Sequence, residues 1–179
     1  QNSVLQNMNV KGWQFYNQFF LTNFKTLNST GYFLRPVFDL SKQLNKMGGL
    51  RFGVRYALEQ NQTKNHETDS LNFNSFSFDT YSVYLQSDQK KKNKYGLTFF
   101  TRTDKYPYGK QLYRGDKSYN VNLQTELVSN EHRQFLLNGT FRKLKVLNSF
   151  VTSQKDDNTI LGRAEYIVNE WKGLLTGNV

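Results

Sequence analysis

Few residues in this chain are of types that could carry catalysis or bind a metal. The two histidines, His66 and His132, both fall in polar stretches, where a Ser/His/acid site would need partners brought from elsewhere by the fold. Asp156 and Asp157 are adjacent acids, but two carboxylates supply fewer oxygen ligands than calcium takes. The chain has no cysteine, which excludes a thiolate nucleophile, a disulfide and a cysteine-based zinc site. We therefore predict no catalytic residue, no metal site and no cofactor.

The chain is strongly basic, with 24 Lys and Arg against 14 Asp and Glu, a net charge of +10. Such a charge could indicate nucleic acid, anionic lipid or an acidic glycan as the partner. Residues 51–56, RFGVRY, are similar to an RNA-stacking strand, but that motif requires further aromatics at fixed spacing and helices between its strands. Much of the lysine falls in predicted turns, where charge is solvated. We therefore do not predict a nucleic-acid partner.

Residues 119–142 contain the clearest structural pattern. Apolar and polar side chains alternate, a polar cluster follows at 129–132, and the alternation then resumes. A period of two residues indicates a strand with one apolar and one wet face, so this stretch predicts an antiparallel hairpin.

The same pattern recurs along the chain and predicts a single all-β domain over residues 1–179. We expect an antiparallel up-and-down meander of about 8–10 strands. Within residues 1–30, the stretch 7–27 could hold one strand and the start of another, or a short helix, and the abundance of aromatics favours strands. We predict a bulge at Asp79 and Thr80, a misfit at Pro36 because proline prefers edges or bulges, and a long loop over residues 103–117.

The alternation divides the strand residues between two faces. The predicted lumen or solvent face contains Arg51, Arg55, Asn120, Asn122, Gln124, Glu126, Arg142, Arg163 and Glu165. The predicted lipid or core face contains Leu50, Phe52, Val54, Tyr56, Leu58, Tyr119, Val121, Leu123, Leu127, Phe135, Leu137 and Phe141.

Strand and connection lengths favour a transmembrane barrel. Short and long predicted connections alternate from Leu40 onward, which places the long ones at one end of the sheet, as in outer-membrane barrels. Nine residues span roughly 30 Å, and a tilt of ~40° leaves about 23 Å, close to the ~25 Å apolar band of such barrels. Tyr32, Tyr95 and Tyr119 are predicted to begin strands, where an interfacial aromatic girdle would lie.

The segments GLRFGVRYALEQNQ and LGRAEYIVNEW resemble the Asn-, Lys- and Tyr-rich strands of outer-membrane β-barrels of the Bacteroidota type, or a strand-repeat segment of the large envelope proteins of that group. The resemblance is one of composition and pattern and covers most of the chain from Gly31. The final residues, Gly177-Asn178-Val179, differ from the terminal aromatic strand of complete barrels. This difference and Pro36 favour a barrel fragment or an unclosed sheet.

These observations predict a non-enzymatic outer-membrane or cell-envelope β-barrel protein, or a segment of one, acting as a pore, a transport component or a structural scaffold. The expected partners are membrane lipid and further strands of the same or other envelope proteins. The alternative is a soluble β-sandwich or lipocalin-like barrel, periplasmic or secreted, that binds an apolar or glycan ligand. An outer-membrane hydrolase would require one of the histidines to lie beside a serine or an acid.

Overall fold

The computed structural model describes residues 2–44, 49–88, 92–130, 133–149, 156–170 and 175–177. They form eleven strands: β1 (Asn2–Val10), β2 (Trp13–Lys25), β3 (Ser29–Leu34), β4 (Val37–Leu44), β5 (Leu50–Asn65), β6 (Phe76–Gln86), β7 (Lys94–Tyr108), β8 (Gln111–Asn130), β9 (Arg133–Ser149), β10 (Asp157–Glu170) and β11 (Leu175–Gly177). None of these residues forms a helix that could cross a membrane.

All strands belong to one antiparallel sheet, and apart from β3 and β4 each strand pairs with its neighbours in sequence. β3 and β4 share one position, because both pair with β2 on one side and with β5 on the other. The predicted all-β antiparallel meander is therefore confirmed. Within the described residues, β1 pairs only with β2 and β11 only with β10, which leaves these two strands at the edges of the sheet.

Pro36 interrupts its strand, since β3 ends at Leu34 and β4 begins at Val37, and it lies in the interior of the sheet rather than at an edge or a bulge. The register on both sides continues past it without a shift. Arg35 exchanges two backbone hydrogen bonds with Phe20, and the N–H of Leu58 donates to the carbonyl of Pro36 at 3.1 Å. Only the bond that an N–H at position 36 would donate is missing, so the neighbouring ladder bonds hold the proline in place.

The predicted loop over residues 103–117 is instead an extension of β7 and β8, joined by a two-residue turn at Gly109 and Lys110. Gly109 has a φ of 63°, which glycine adopts readily. Two of the residues that suggested a loop, Pro107 and Gly115, instead lie beside shifts in the register between paired strands. The hairpin therefore projects as a paired ribbon from the end of the sheet that also holds the β5–β6 connection. We call this the projecting end.

β6 is regular, so the bulge predicted at Asp79 and Thr80 is also wrong. Its register with β5 and with β7 contains no shift. The alternation of apolar and polar residues does change along β6, but a bulge is not the cause. Phe76 and Phe78 simply lie on the opposite face of the sheet from Tyr81. The rings of Phe76 and Phe78, at the start of β6, therefore lie on the face of the sheet that carries mostly polar side chains.

The register gives the sheet two chemically distinct faces. We call the face of Val121 the apolar face and the face of Asn120 the polar face. One row of directly paired residues on the apolar face crosses nine strand positions without a polar side chain: Met8, Phe15, Leu40, Val54, Val83, Phe99, Val121, Phe141 and Ile160.

Burial in this sheet is inverted relative to a soluble domain. Val37 is the one buried hydrophobic residue of the described core, whereas the buried polar residues are Ser41, Thr63, Ser75, Ser87, Asp116, Ser118 and Asn120. The accessible surface is 12647 Å², against roughly 9000 Å² for a compact monomer of this mass. A single sheet layer whose apolar face is uncovered accounts for the exposed hydrophobic side chains and for the large surface.

Candidate functional site

The most distinctive feature of the molecule is the band of apolar side chains on the apolar face, which we call the apolar belt. The register places all twelve residues predicted for the lipid or core face on this face. Many of their side chains are solvent-accessible; Phe52, Val121, Leu123 and Phe141 are among the exposed hydrophobic residues. Exposed apolar patches of this extent mark a surface that something else covers.

Aromatic rings form one margin of the apolar belt. Phe38, Tyr56 and Tyr81 lie side by side on neighbouring strands, with ring centroids 6.3 Å and 4.8 Å apart. Tyr119 lies in the same row of paired residues. Tyr119 does not begin its strand as predicted but lies inside β8, and Tyr32 likewise lies inside β3, because those strands extend beyond the margin.

The polar face holds all nine residues predicted for a lumen or for solvent. Arg51 and Arg55 lie on it in β5, and Arg163 and Glu165 lie on it in β10. The remaining five lie on β8 and β9: Asn120, Asn122, Gln124, Glu126 and Arg142.

Ion pairs concentrate on the polar face. Four of the five ion pairs among the described residues lie there: Arg35–Glu59 (4.0 Å), Lys94–Glu126 (3.2 Å), Arg102–Asp104 (2.6 Å) and Arg163–Glu165 (2.9 Å). Gln134 also donates to Glu126 at 3.0 Å. Charged side chains require either hydration or an oppositely charged partner, and a water-facing surface that carries both signs of charge supplies both.

A tyrosine spans three strands on the polar face. The Tyr84 hydroxyl in β6 donates to Asp39 in β4 at 2.8 Å, and its ring crosses over Gly53 in β5. Gly53 leaves the space that this ring occupies, since a Cβ there would overlap the ring and the hydroxyl. The glycine and the tyrosine thus form a fitted pair on the polar face.

Two carboxylates lie directly opposite each other beyond the apolar belt, at the projecting end of the polar face. Asp104 pairs with Asp116 in the β7–β8 register, and Asp104 is held by Arg102. Burial raises the pKa of Asp116, and the Asp104 carboxylate raises that pKa further, while Arg114, Arg142 and Arg102 lower it.

The projecting end also carries a ring cluster formed by Phe73, Tyr108 and Tyr113. Phe73 stacks on Tyr108 with centroids 3.8 Å apart and meets Tyr113 edge-on at 5.7 Å. Leu71 and Gly109 exchange backbone hydrogen bonds of 2.8 Å and 3.3 Å. These contacts fasten the β5–β6 connection to the tip of the β7–β8 hairpin.

A groove of about 430 Å³ runs along the apolar face. Residues of the apolar belt line it, among them Phe15, Leu40, Val54, Val83 and Phe99. Its lining is mostly apolar and aromatic, with Asn17 and Thr101 among its polar members, so it could hold a lipid chain or another apolar group.

The residues first considered for chemistry are not assembled into a catalytic site in the described part of the chain. The His66 ring contacts the backbone carbonyl of Leu27 at 3.1 Å, and His132 lies outside the described residues. Asp156 accepts from the N–H of Val146, and Asp157 accepts from the hydroxyl of a threonine two residues on. Within the described residues, no group of three or more His, Cys, Asp or Glu could hold a metal ion.

The arrangement of residues 51–56 does not form an RNA-stacking surface. Arg51 and Arg55 lie on the polar face, whereas Phe52 and Tyr56 lie on the apolar face. The basic and the aromatic side chains of this segment therefore present no common surface.

Sequence reasoning missed three lysines that the fold brings together. Lys117 was predicted to lie in a loop, but it is in β8 and pairs with Lys145 in β9, while Lys143 pairs with Tyr119. The alternation of Lys143 and Lys145 around Leu144 was the available signal, because it places both lysines on one face.

Comparison of the chain with protein-family models, with characterised proteins and with solved structures found no match.

Proposed function

We propose that this chain is a membrane-embedded, non-enzymatic all-β protein, or a segment of one, in the outer membrane or cell envelope of a Gram-negative bacterium. The apolar face lies against lipid acyl chains, and the polar face lines water as part of a pore, a transport component or a scaffold. The observation that carries this proposal is the inversion of burial together with the unbroken apolar row across nine strand positions. Apolar-out and polar-in alternation is the pattern of strands in bilayers.

The drift of the apolar belt across the sheet supports the same proposal. The apolar run of β5 is centred on Val54, which is in register with Phe141, whereas the run of β9 is centred three residues away, between Leu137 and Gly139. The belt therefore shifts by three residues along the strands over four steps across the sheet. It can lie parallel to the membrane plane only if the strands are inclined to the membrane normal by roughly 30°. Strands of membrane barrels are inclined by ~35–45°.

The edge strands set a requirement for this proposal. Lipid cannot satisfy unpaired backbone N–H and C=O groups, so β1 and β11 must each find a partner strand in the membrane. They could pair with each other or with strands of other envelope proteins.

Detergent dependence of folding tests the proposal. The purified chain is expected to aggregate in plain buffer and to give a strand-rich circular dichroism spectrum with cooperative unfolding in phosphocholine micelles. A monodisperse chain that unfolds cooperatively without detergent would instead support the soluble alternative, which the apolar groove favours. In that case a second apolar layer or an apolar ligand covers the apolar face.

A further inference from the structure

We propose that Lys117, Lys143 and Lys145 form a site for the phosphate groups of anionic lipids. We call these three residues the basic cluster. This inference rests on the proposed membrane location, because it assigns the headgroups of the same lipid layer whose acyl chains cover the apolar belt.

The basic cluster lies on the apolar face immediately outside the apolar belt. Val121 and Phe141 form the last directly paired apolar row of β8 and β9 in this direction. Lys143 pairs with Tyr119 in the next row, and Lys117 pairs with Lys145 in the row after that. If acyl chains cover the belt, these two rows lie at the depth of the lipid headgroups, where lysine stems cover apolar surface and their ammonium groups reach water.

The charges of the basic cluster are not balanced within the described part of the protein. Lys117 and Lys145 are directly opposite on neighbouring strands, where like charges repel. None of the three lysines takes part in the ion pairs of the described residues. Lys117 lies 5.2 Å from the centroid of the Tyr119 ring, which positions its ammonium group at the belt margin.

One acid lies near the cluster but forms no ion pair with its lysines among the described residues. The Asp156 carboxylate accepts the backbone N–H of Val146 at 2.8 Å, next to Lys145. A phosphate held between the two strands would offset the repulsion between the lysines. Lipids whose acyl chains cover the adjacent apolar belt have their headgroup phosphates at this depth, so we assign the phosphate to a lipid headgroup.

The test compares two double variants that remove the same charge. Lys117→Gln/Lys145→Gln removes the paired lysines, and Lys105→Gln/Lys110→Gln removes two lysines farther along the same hairpin, toward its tip. Equilibrium unfolding is measured in phosphatidylcholine vesicles and in vesicles with one part in five of phosphatidylglycerol. Because both variants lose two charges, nonspecific attraction of the unfolded chain to the anionic vesicle is matched.

We expect the anionic lipid to raise the folded-to-unfolded ratio of the wild type and of the control. For Lys117→Gln/Lys145→Gln this gain should be smaller by roughly 25-fold, since each lysine near an anionic surface contributes about fivefold. High salt should remove the difference. Equal gains for the two variants would overturn the inference.

Two further arms separate the possible failures. If inorganic phosphate added to pure phosphatidylcholine vesicles reproduces the lysine-dependent gain, the site takes free phosphate and the assignment to lipid is overturned. If the wild type folds in buffer without lipid, the proposed function itself fails. Folding in phosphatidylcholine without a lysine-dependent gain from phosphatidylglycerol would overturn the basic cluster alone.

Discussion

Asn120 and Val121 are neighbours in β8, and the polar side chain is the more buried of the two. Asn120 is 5% exposed, against 36% for Val121. A soluble sheet packs its apolar side chains inward and leaves its polar ones in water, so the order here is reversed. The reversal has a physical reason if lipid covers the apolar face, because acyl chains then take the place of a protein core.

Replacing Leu123 with arginine should be far more damaging than replacing Gln124. Leu123 lies at the centre of the apolar belt in β8, where an arginine facing the bilayer midplane costs ~2–4 kcal/mol. Gln124 already lies on the polar face, so Gln124→Arg should change stability by about 0.5 kcal/mol or less. Denaturant unfolding of the two variants in lipid vesicles measures both values.

The two sites form a matched pair, because they are adjacent in one strand and neither side chain is buried. Exposure to water alone would therefore make both substitutions mild. Equal losses in vesicles would contradict the assignment of the two faces.

Adding a methyl group at Gly53 should disturb the contact between Tyr84 and Asp39. The new Cβ would overlap the Tyr84 ring, so Gly53→Ala should cost about 1–3 kcal/mol through displacement of the ring. Gly96→Ala is the control, since the nearest atom to its Cβ would be 3.8 Å away on the same face. A tolerated alanine at Gly53, with the Tyr84 hydroxyl resonance unchanged in NMR spectra, would show that the ring does not cross this glycine.

Asp116 should make the protein less stable as the pH rises. Burial and the nearby Asp104 raise the folded-state pKa of Asp116 above 3.8, its ordinary value. The folded state therefore holds the proton more tightly, and stability falls as the pH rises from the ordinary value through the folded pKa. Asp116→Asn should be more stable than the wild type at neutral pH, and the difference should shrink as the pH approaches 3.8.

Unfolding of both proteins across this pH range measures the effect. Asp104→Asn is the companion variant, and it should lose stability because it breaks the ion pair with Arg102. An Asp116→Asn variant that is less stable at neutral pH would contradict the burial of an ionisable carboxyl at this site.

Truncating Phe73 should release the β5–β6 connection without weakening the apolar belt. Phe73→Ala removes ring contacts with Tyr108 and Tyr113, each worth ~0.5–1.5 kcal/mol. Exchange of the Leu71 and Gly109 amides should accelerate by roughly tenfold, since opening of this region then costs less. Amides in the centre of β5 serve as the internal control, and acceleration there as well would show that the ring cluster is part of one cooperative unit.

The strands that could be predicted from the sequence are those crossing the apolar belt. In β8, alternating apolar and polar residues mark a boundary between two environments, and the period of two follows directly. Between Arg114 and Ser118 β8 has no apolar side chain on either face, so the alternation disappears although the strand begins at Gln111. Pro107, Gly109 and Gly115 in this stretch are loop signals, and without a clear alternation to oppose them they led to the prediction of a loop over residues 103–117.

Pairing partners could not be predicted, because they depend on register between strands distant in sequence. Asp104 and Asp116 are isolated acids in the sequence and become neighbours only through the β7–β8 register. The same holds for Tyr84 and Asp39, which meet across β5. Pro36, a misfit by its sequence, is held inside the sheet because the ladder bonds of its neighbours override its own preference for an edge or a bulge.

Site-directed spin labelling tests most directly which face of the sheet meets lipid. Because the chain has no cysteine, Leu123→Cys and Gln124→Cys each introduce a single attachment site for a nitroxide. In lipid vesicles, the label at position 123 should collide mainly with oxygen, which concentrates among acyl chains, and the label at 124 mainly with a water-soluble nickel chelate. A label at 123 that meets the nickel chelate as often as the label at 124 would contradict the placement of the apolar face in the membrane.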